Sequence, residues 1–282
     1  MEHVILKNEV MQVEISLLGA EMKRITCCGR EMLWEGDPSV WSGTAPVLFP
    51  ICGRLKENTY RYGGQEYHLG LHGFLHDAVF AVEEKTEEQV TLVTKSTPET
   101  LECYPFSFEF RAIFRLSGKE LSIEYVIQSG EEGLYWSVGS HEGYACPEGI
   151  EQYRLIFDRP ERLECTLLSD NFMTDCVRQL GEPGRELPLR ERDFRELSTL
   201  IFESLQSRKV TLVNQSGDRS ITVEFPDFDY LLVWHEPGGN YICIEPWCGL
   251  PDEADGDGDF TKKKGILRIE GEKRFCHRIT FE

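Results

Sequence analysis

The sequence predicts an all-β protein built as a sandwich or a barrel. Apolar and polar residues alternate with a period of two along much of the chain, which is typical of strands with one buried face. Turns rich in Gly, Asn, Asp or Lys bound these runs, and they follow one another too closely for parallel βαβ units. No composition shift, repeat or low-complexity linker divides the 282 residues. We therefore expect a single domain over 1–282.

The clearest element is a β-hairpin over 106–128. Its first half places apolar side chains at every second position: Phe106, Phe108, Phe110, Ala112, Phe114 and Leu116. Its second half repeats the pattern with Leu121, Ile123, Tyr125 and Ile127. Because Ser117-Gly118-Lys119-Glu120 separates the halves, the segment predicts two paired strands with one aromatic face.

The same alternation predicts further strands at 10–15, 90–94, 210–213 and 221–225. One stretch, 190–207, could be helical, because several apolar residues fall at helical spacing: Phe194, Leu197, Leu200, Ile201 and Leu205. It also contains Leu200-Ile201-Phe202, which suits a strand equally well. Helix and strand both stay open there.

Charge and cysteine content narrow the class of protein. The chain has 30 Lys+Arg against 49 Asp+Glu, a net charge of −19, which disfavours nucleic acids and anionic membranes as partners. A small neutral molecule is the easiest ligand to accommodate. The start of the chain lacks the pattern of a signal peptide, and no apolar run is long enough for a membrane span. The ten cysteines form no CxxC motif, so we expect reduced thiols in a cytoplasmic protein, with disulfides as the weaker alternative.

Three charged or titratable groups interrupt apolar surroundings. Arg54 follows an apolar segment, and its five donors suit sugar hydroxyls or carboxylates, although a surface arginine would fit the spacing better. His72 lies in a Gly-rich turn, as a ligand-binding or a purely structural residue. Glu245 lies within an apolar strand, where a buried carboxylate is costly unless paired. An outward-facing Glu on an amphipathic strand is the alternative.

The sequence predicts no metal site and no cofactor. His68 and His76 stand four residues to either side of His72, but the glycines argue against a helix that would align them. The acidic segment 252–259 begins like a calcium loop at Asp255. Phe260 then stands where that loop needs Gly, and Ile266 where it needs Glu. We expect a solvated loop balanced by Lys262, Lys263 and Lys264. Phosphate-binding and serine-hydrolase motifs are absent from the sequence.

Several motifs occur in an order that resembles the aldose 1-epimerase (galactose mutarotase-like) family, in particular its LacX-like branch. They are Gly19-Ala20-Glu21-Met22, Leu33-Trp34-Glu35-Gly36-Asp37-Pro38, Trp41, Leu48-Phe49-Pro50-Ile51-Cys52-Gly53-Arg54-Leu55, Tyr60-Arg61-Tyr62-Gly63-Gly64, His72-Gly73-Phe74, Gly139-Ser140-His141, and Ile242-Cys243-Ile244-Glu245-Pro246-Trp247-Cys248-Gly249-Leu250-Pro251-Asp252. The resemblance implies a large antiparallel β-sandwich of the galactose mutarotase type, in agreement with the alternation above.

The resemblance also implies a reaction, the interconversion of α and β anomers of a free aldose such as galactose or glucose, without a cofactor. A base takes the proton of the C1 hydroxyl while an acid protonates the ring oxygen. The matching positions are Glu245 for the base and His141 for the acid. Arg54 and His72 match sugar-binding residues. From aromatic stacking we add Trp234 and Trp247 as platforms for the sugar ring. The partner would be a small aldose, and the protein a monomer or homodimer.

The chain departs from the family pattern near these residues. Glu142 follows His141 where the family usually has Pro, and His76 stands where an Arg is usual. The carboxylate with which galactose mutarotases hold a sugar hydroxyl has only Asp227 or Asp229 as candidates. These changes concern the substrate more than the fold.

Other functions stay open from the sequence. A carbohydrate-binding or sensory protein could keep the fold and the site without turnover. A glycosidase could use Glu142 and Glu245 as paired carboxylates, which would have to flank a glycosidic bond. A sugar-phosphate substrate would call for basic residues around Arg54, for which only Lys56 and Arg61 are available.

Overall fold

The alternating pattern of the sequence forms strands throughout the fold. A computed structural model describes residues 2–130 and 132–282. Within these ranges the α-helices are α1 (Pro98–Cys103) and α2 (Glu191–Leu197), and short 3-10 helices span Lys56–Asn58, Leu75–Asp77, Ile150–Gln152 and Phe260–Lys262. The strands in chain order are β1 (His3–Lys7), β2 (Met11–Ser16), β3 (Met22–Cys27), β4 (Arg30–Glu31), β5 (Val47–Leu48), β6 (Thr59–Tyr62), β7 (Gln65–His68), β8 (Ala81–Lys85), β9 (Gln89–Lys95), β10 (Phe108–Ser117), β11 (Glu120–Ser129), β12 (Leu134–Trp136), β13 (Gly139–Ser140), β14 (Glu142–Ala145), β15 (Tyr153–Glu161), β16 (Glu164–Ser169), β17 (Phe172–Gln179), β18 (Gly184–Pro188), β19 (Thr199–Phe202), β20 (Lys209–Asn214), β21 (Ser220–Glu224), β22 (Tyr230–Trp234), β23 (Tyr241–Trp247), β24 (Leu267–Ile269) and β25 (Glu272–Phe281).

Two large antiparallel sheets dominate the architecture. One has nine strands in the order β18-β15-β20-β21-β25-β11-β10-β9-β8. The other has eight, in the order β17-β16-β19-β22-β23-β13-β5, with β14 also pairing with β23. One hydrophobic core takes side chains from both sheets, such as Phe110 and Ile123 from the first and Val233 and Ile244 from the second. The prediction of an all-β sandwich is confirmed.

The predicted hairpin is present as β10 and β11. Their antiparallel pairing ends at Ser117 and Glu120, the turn expected from the sequence. Phe110 and Phe114 on its aromatic face are buried in the core. The strands predicted at 10–15, 90–94, 210–213 and 221–225 correspond to β2, β9, β20 and β21. The alternation of apolar and polar residues in the sequence therefore reflects strands that bury one face in the core.

The stretch 190–207 divides between the two structures that the sequence left open. Residues Glu191–Leu197 form α2, and Phe194 packs into the core. Ser198 then takes a positive φ of 61°, which ends the helix. Leu200, Ile201 and Phe202 belong to β19, which pairs with β22. A single helix over 190–207 is thus wrong, because the second half is needed in the eight-stranded sheet.

Alternation along β23 determines which face carries the candidate catalytic group. Ile242 and Ile244 point into the core between the sheets. Glu245 lies at the opposite parity and therefore faces the outer side of the eight-stranded sheet. Across the sheet it pairs with Leu232 of β22, which in turn lies opposite Ile201 of β19. This row of outward-facing residues forms the base of the site.

Two further sequence expectations concern cysteines and membranes. All ten cysteines are free thiols in the structure. Among the helices of 2–130 and 132–282, none has the length and apolar character required to cross a membrane.

Candidate active site

A cavity of about 350 Å³ opens on the outer face of the eight-stranded sheet. Pockets of this volume commonly hold small molecules. The side chains predicted to form the site all line it: Arg54, His72, His141, Trp234, Glu245 and Trp247. These residues come from loops and strands far apart in the chain, so the fold itself assembles the cavity.

The His141 and Glu245 side chains meet within this cavity. Nε2 of His141 lies 3.4 Å from Oε2 of Glu245. The His141 side chain is 11% exposed and that of Glu245 only 2%. Glu245 lies on β23, and His141 lies in the segment between β13 and β14, which both pair with β23. Strand pairing thus fixes the two groups next to each other.

Burial disfavours the charged form of both members of this pair. Removal from water raises the pKa of Glu245 well above its usual range, and the nearby charge of Glu142 adds to the effect. Burial lowers the pKa of His141 to about 4, although the charges of Glu142 and Glu21 act against this. In water a single proton shared by such a pair resides on the imidazole, because the ordinary pKa of histidine lies above that of a glutamate carboxyl. Burial works against this preference and shifts the proton toward Glu245.

His72 is held as a neutral hydrogen-bond donor. Its Nδ1 accepts the backbone N–H of Gly53 at 3.0 Å. Burial lowers its pKa well below the usual range, and the neighbouring His141 contributes to the shift. A neutral ring that accepts at Nδ1 carries its proton on Nε2. His72 therefore has one N–H available for a ligand oxygen, at a position where its backbone φ is +63°.

Tryptophans surround the pair formed by His141 and Glu245. Trp234 lies edge-on to the His141 ring, with 5.5 Å between the ring centroids. Trp247 donates its indole N–H to the backbone carbonyl of Ser140 at 3.2 Å, which fixes its ring against the cavity. Trp41 also lines the cavity, with its ring 5.1 Å from that of His141. In the sequence Trp41 counted only as part of a motif, so its place in the site was missed.

The sequence reasoning missed further lining residues. They are Pro46, Gly53, Leu71, Leu168, Asn171, Thr199, Ile201, Leu232 and Pro251. Leu232 and Ile201 belong to the row that continues from Glu245 across the sheet. The only signal for them is this parity, which requires knowledge of the strand register. Asn171 and Thr199 add polar groups to a largely apolar wall.

Several candidates from the sequence lie outside the cavity. Asp227 and Asp229 are absent from its lining, and Asp227 instead accepts the backbone N–H of Cys276 at 2.8 Å. The suggestion that either one holds a sugar hydroxyl is therefore wrong. His76 is also outside the lining and lies 3.3 Å from the Asp77 carboxylate.

Glu142 does not face the cavity either. Its side chain is 1% exposed and contacts His277 in the core between the sheets. The proposed glycosidase arrangement of Glu142 and Glu245 is wrong, since the two carboxylates do not flank a common space for a glycosidic bond. A phosphate site is also unsupported. Lys56 and Arg61 lie outside the lining and donate to the backbone carbonyls of Ala254 and Asp257.

The acidic loop is balanced by its own lysines. Lys262 lies 3.3 Å from Asp257 and 3.0 Å from Asp259. Lys263 contacts Asp252 at 2.7 Å. These ion pairs agree with the expected local charge balance for two of the three lysines and supply a structural role for the carboxylates. Lys264 instead lies 2.6 Å from Glu203, outside the loop.

One group of possible metal donors occurs among residues 2–130 and 132–282. The donor atoms of His141, Cys243 and Glu245 lie within 4.8 Å of one another. Burial and the charge of Glu245 raise the pKa of the Cys243 thiol well above its usual range, so forming the thiolate that a metal binds is costly there. The expectation of a metal-free site stays a prediction.

Comparisons with known proteins agree with this geometry. The sequence model of the aldose 1-epimerase family matches residues 2–255. Protein LacX (plasmid) of Lactococcus lactis subsp. lactis is 32% identical over 284 residues, covering 94% of this chain and 93% of LacX. Among solved structures, a galactose mutarotase related enzyme from Lactobacillus acidophilus is similar, with 30% identity and a TM-score of 0.93. The alignment covers 100% of this chain and 97% of that one. A galactose mutarotase-like protein from Lactobacillus casei ATCC 334 has 26% identity, a TM-score of 0.93 and full coverage of both chains. The chain belongs to the aldose 1-epimerase family.

Proposed function

We propose that this protein is an aldose 1-epimerase that interconverts the α and β anomers of a free, galactose- or glucose-like aldose. The observation that carries the proposal is the buried contact of 3.4 Å between His141 and Glu245. The same cavity contains Arg54 and His72, which can donate hydrogen bonds to a sugar. An acid and a base placed together are what ring opening at C1 requires.

The proposed reaction transfers two protons and breaks the C1–O5 bond of the sugar ring. The Glu245 carboxylate takes the proton from the C1 hydroxyl, and the electron pair of that O–H bond forms the C1=O1 carbonyl. The C1–O5 bond breaks, and its electron pair goes to O5, which takes a proton from the His141 imidazolium. The product is the open-chain aldehyde. Rotation about C1–C2 followed by the reverse transfers gives the other anomer.

Each ring opening transfers one net proton from His141 to Glu245 through the sugar. The pair therefore changes from carboxylate and imidazolium to carboxylic acid and imidazole, and ring closure restores the first state. A reversible reaction is fastest when neither state is a deep energy minimum. Burial lowers the energy of the uncharged state relative to the charged one, since it raises the pKa of Glu245 and lowers that of His141.

The surrounding residues position the sugar in this proposal. Nε2–H of His72 donates to a sugar oxygen near the ring oxygen, and the Arg54 guanidinium donates to hydroxyl groups. Trp234 and Trp247 pack against the C–H faces of the ring. Because the reaction moves protons only between groups of this chain and the sugar, we propose that it uses no cofactor.

The first test of the proposal measures mutarotation directly. Freshly dissolved α-D-galactose and α-D-glucose are followed by polarimetry with and without the protein. We expect the approach to anomeric equilibrium to accelerate in proportion to protein concentration. Heat-denatured protein at the same concentration is the control for trace catalysis by buffer and exposed side chains.

A binding measurement separates the enzyme from a non-catalytic sugar-binding protein. Saturation-transfer NMR detects bound sugar whether or not it reacts. Binding of common aldoses without acceleration of mutarotation would favour the carbohydrate-binding alternative. The absence of both binding and acceleration would contradict the proposed substrate class.

We also propose that the protein acts in the cytoplasm as a monomer or homodimer. The ten free thiols suit a reducing compartment. Light scattering of the purified protein under reducing conditions tests the oligomeric state.

A further inference from the structure

Three polar side chains meet in the core between the two sheets, behind the cavity. Ser140 and Glu142 come from the eight-stranded sheet, and His277 comes from β25 of the nine-stranded sheet. Their exposed fractions are 0%, 1% and 0%. We call them the core triad. Because a substrate cannot reach these side chains, none of them can act on it as acid, base or nucleophile.

Hydrogen bonds connect all three members of the core triad. The Ser140 hydroxyl donates to the Glu142 carboxylate. Nε2 of His277 lies 3.2 Å from Oε1 of Glu142 and 3.2 Å from Oγ of Ser140. A buried carboxylate is costly unless it is paired and hydrogen-bonded. The serine and the histidine meet this condition for Glu142.

The setting is otherwise apolar and aromatic. The rings of Tyr125 and Phe228 each lie with their centroids 5.8 Å from that of His277. In such surroundings a hydrophobic residue at position 142 would pack without the cost of desolvating a charge. The presence of a carboxylate there therefore indicates a use for its charge or its hydrogen bonds.

The core triad is joined to the catalytic pair through the backbone. Ser140 and Glu142 directly flank His141, and their side chains point inward while His141 points to the cavity. Glu142 lies opposite Ile244, the residue before Glu245. The Ser140 carbonyl also accepts the Trp247 indole N–H. Anchoring residues 140 and 142 thus fixes where the His141 ring can lie.

The charge of Glu142 also reaches titratable groups on every element packed around it. These groups are Tyr125 on β11, Tyr144 on β14, Cys243 and Glu245 on β23, His141 beside it and His277 on β25. The catalytic pair is further faced by His72, Glu21, Tyr241 and Cys52. Among these, Glu142 is the carboxylate that acts on both members of the pair.

We propose that Ser140, Glu142 and His277 form a positioning network for the catalytic pair. The network holds the backbone on both sides of His141 and places a fixed negative charge behind His141 and Glu245. The negative charge stabilises a proton on the pair and so sets the pH range over which the pair carries one. The inference rests on the proposed function for its effect on turnover, but its effect on the His141 ring is independent of turnover.

The direct test is an NMR titration of the His141 ring in the wild type and in Glu142→Gln. The His141 signal is assigned by its loss in His141→Asn. Glutamine keeps the size and hydrogen-bonding capacity of the side chain but removes its charge. We expect the midpoint of the His141 titration to fall by about half a unit to one unit. An unchanged midpoint in a folded variant would overturn the proposal.

Glu161→Gln is the matched control. Glu161 is likewise a buried carboxylate, 5% exposed, and it accepts the backbone N–H of Ser207 at 2.6 Å. It lies outside the lining of the catalytic cavity. We expect the His141 midpoint of this variant to equal that of the wild type. An equal shift in both variants would show a general effect of losing a buried charge and would overturn the network.

Turnover gives a second, separable readout. In Glu142→Gln we expect kcat to fall about tenfold with KM little changed, and the alkaline limb of the rate profile to move to lower pH. A fall in kcat with unmoved limbs would show a merely structural role. Inactivity of the wild type on every aldose would contradict the proposed function, while the titration would still decide on the network.

A conservative variant covers the case in which Glu142→Gln does not fold. In His277→Gln the glutamine amide can replace Nε2 as a donor to Glu142, and the Glu142 charge stays. We expect a His141 midpoint near that of the wild type, whereas His277→Leu, which removes the donor, should shift it. Equal midpoints in His277→Gln and His277→Leu would overturn the proposal.

Discussion

Nε2 of His141 lies 3.4 Å from Oε2 of Glu245, and both side chains are almost removed from solvent. They reach this contact because β23 pairs with the two short strands on either side of His141. Both side chains line the cavity. A sugar that enters the cavity therefore becomes the route for proton transfer between the two groups in the proposed reaction.

The rate should depend on pH through the number of protons on this pair. The active form carries one proton, so a second proton inactivates it on the acidic side. Because the pKa of His141 is lowered to about 4, activity should persist down to about that pH. The raised pKa of Glu245 means that the last proton leaves only well above the usual carboxyl range, which gives the alkaline limb. NMR exchange rates between anomers, corrected for buffer catalysis, measure the profile. An acidic limb near pH 6.5, the ordinary value for histidine, would contradict this assignment.

His72→Asn separates the two hydrogen bonds of His72. Asn can accept the Gly53 N–H through its side-chain oxygen, and it tolerates the positive φ of this position better than most residues. It cannot reach as far as Nε2–H, so the bond to the sugar is lost. We expect KM to rise about tenfold, equivalent to about 1.4 kcal/mol, while the melting temperature changes little. An unchanged KM would remove His72 from the sugar site.

Substitutions in the core and at exposed positions should differ sharply in their effect on the free energy of unfolding. Phe110 is fully buried between the sheets, so Phe110→Ala should lower the free energy of unfolding by about 3–5 kcal/mol. Val177 on β17 is 60% exposed, and Val177→Ala should change it by less than about 0.5 kcal/mol. Urea unfolding of both variants measures the difference. Similar losses in both would contradict the described core.

The architecture could be predicted from the sequence because burial on one face leaves a period of two. The hairpin of β10 and β11 is the clearest case, since its aromatic face is the inner face of the nine-stranded sheet. The stretch 190–207 was ambiguous because its apolar residues serve a short helix and then a strand. That helix ends at Ser198, which has a positive φ. A serine does not predict this backbone conformation, so the end of the helix could not be located from the sequence. The single-domain organisation over 1–282 stays a prediction.

The residue pattern singled out Arg54, His72 and Glu245, but only the resemblance to a family gave them roles in a common site. Alternation alone could not decide whether Glu245 faces solvent or a cavity, because that depends on what covers the outer face of β23. Leu232 and Ile201 were missed for the same reason, as their place beside Glu245 follows from strand register. The six residues predicted for the site all line one cavity, but their roles stay proposals.

Glu142 shows the limit of reasoning from neighbours in sequence. Its position next to His141 suggested a second carboxylate in the sugar site. Strand alternation instead turns its side chain inward, where it meets His277 across the core. Because His277 belongs to the other sheet and lies far from Glu142 in the chain, the sequence around Glu142 does not indicate this contact.

The most direct measurement of the central claim is anomer exchange in Glu245→Gln. The wild type, this variant and Glu186→Gln, whose side chain is 62% exposed, are compared by NMR exchange on galactose and glucose at neutral pH. Loss of the base should reduce kcat by about 10²–10⁴-fold, while sugar binding persists and Glu186→Gln matches the wild type. Wild-type exchange rates in a folded Glu245→Gln variant would contradict the role of Glu245 as the base.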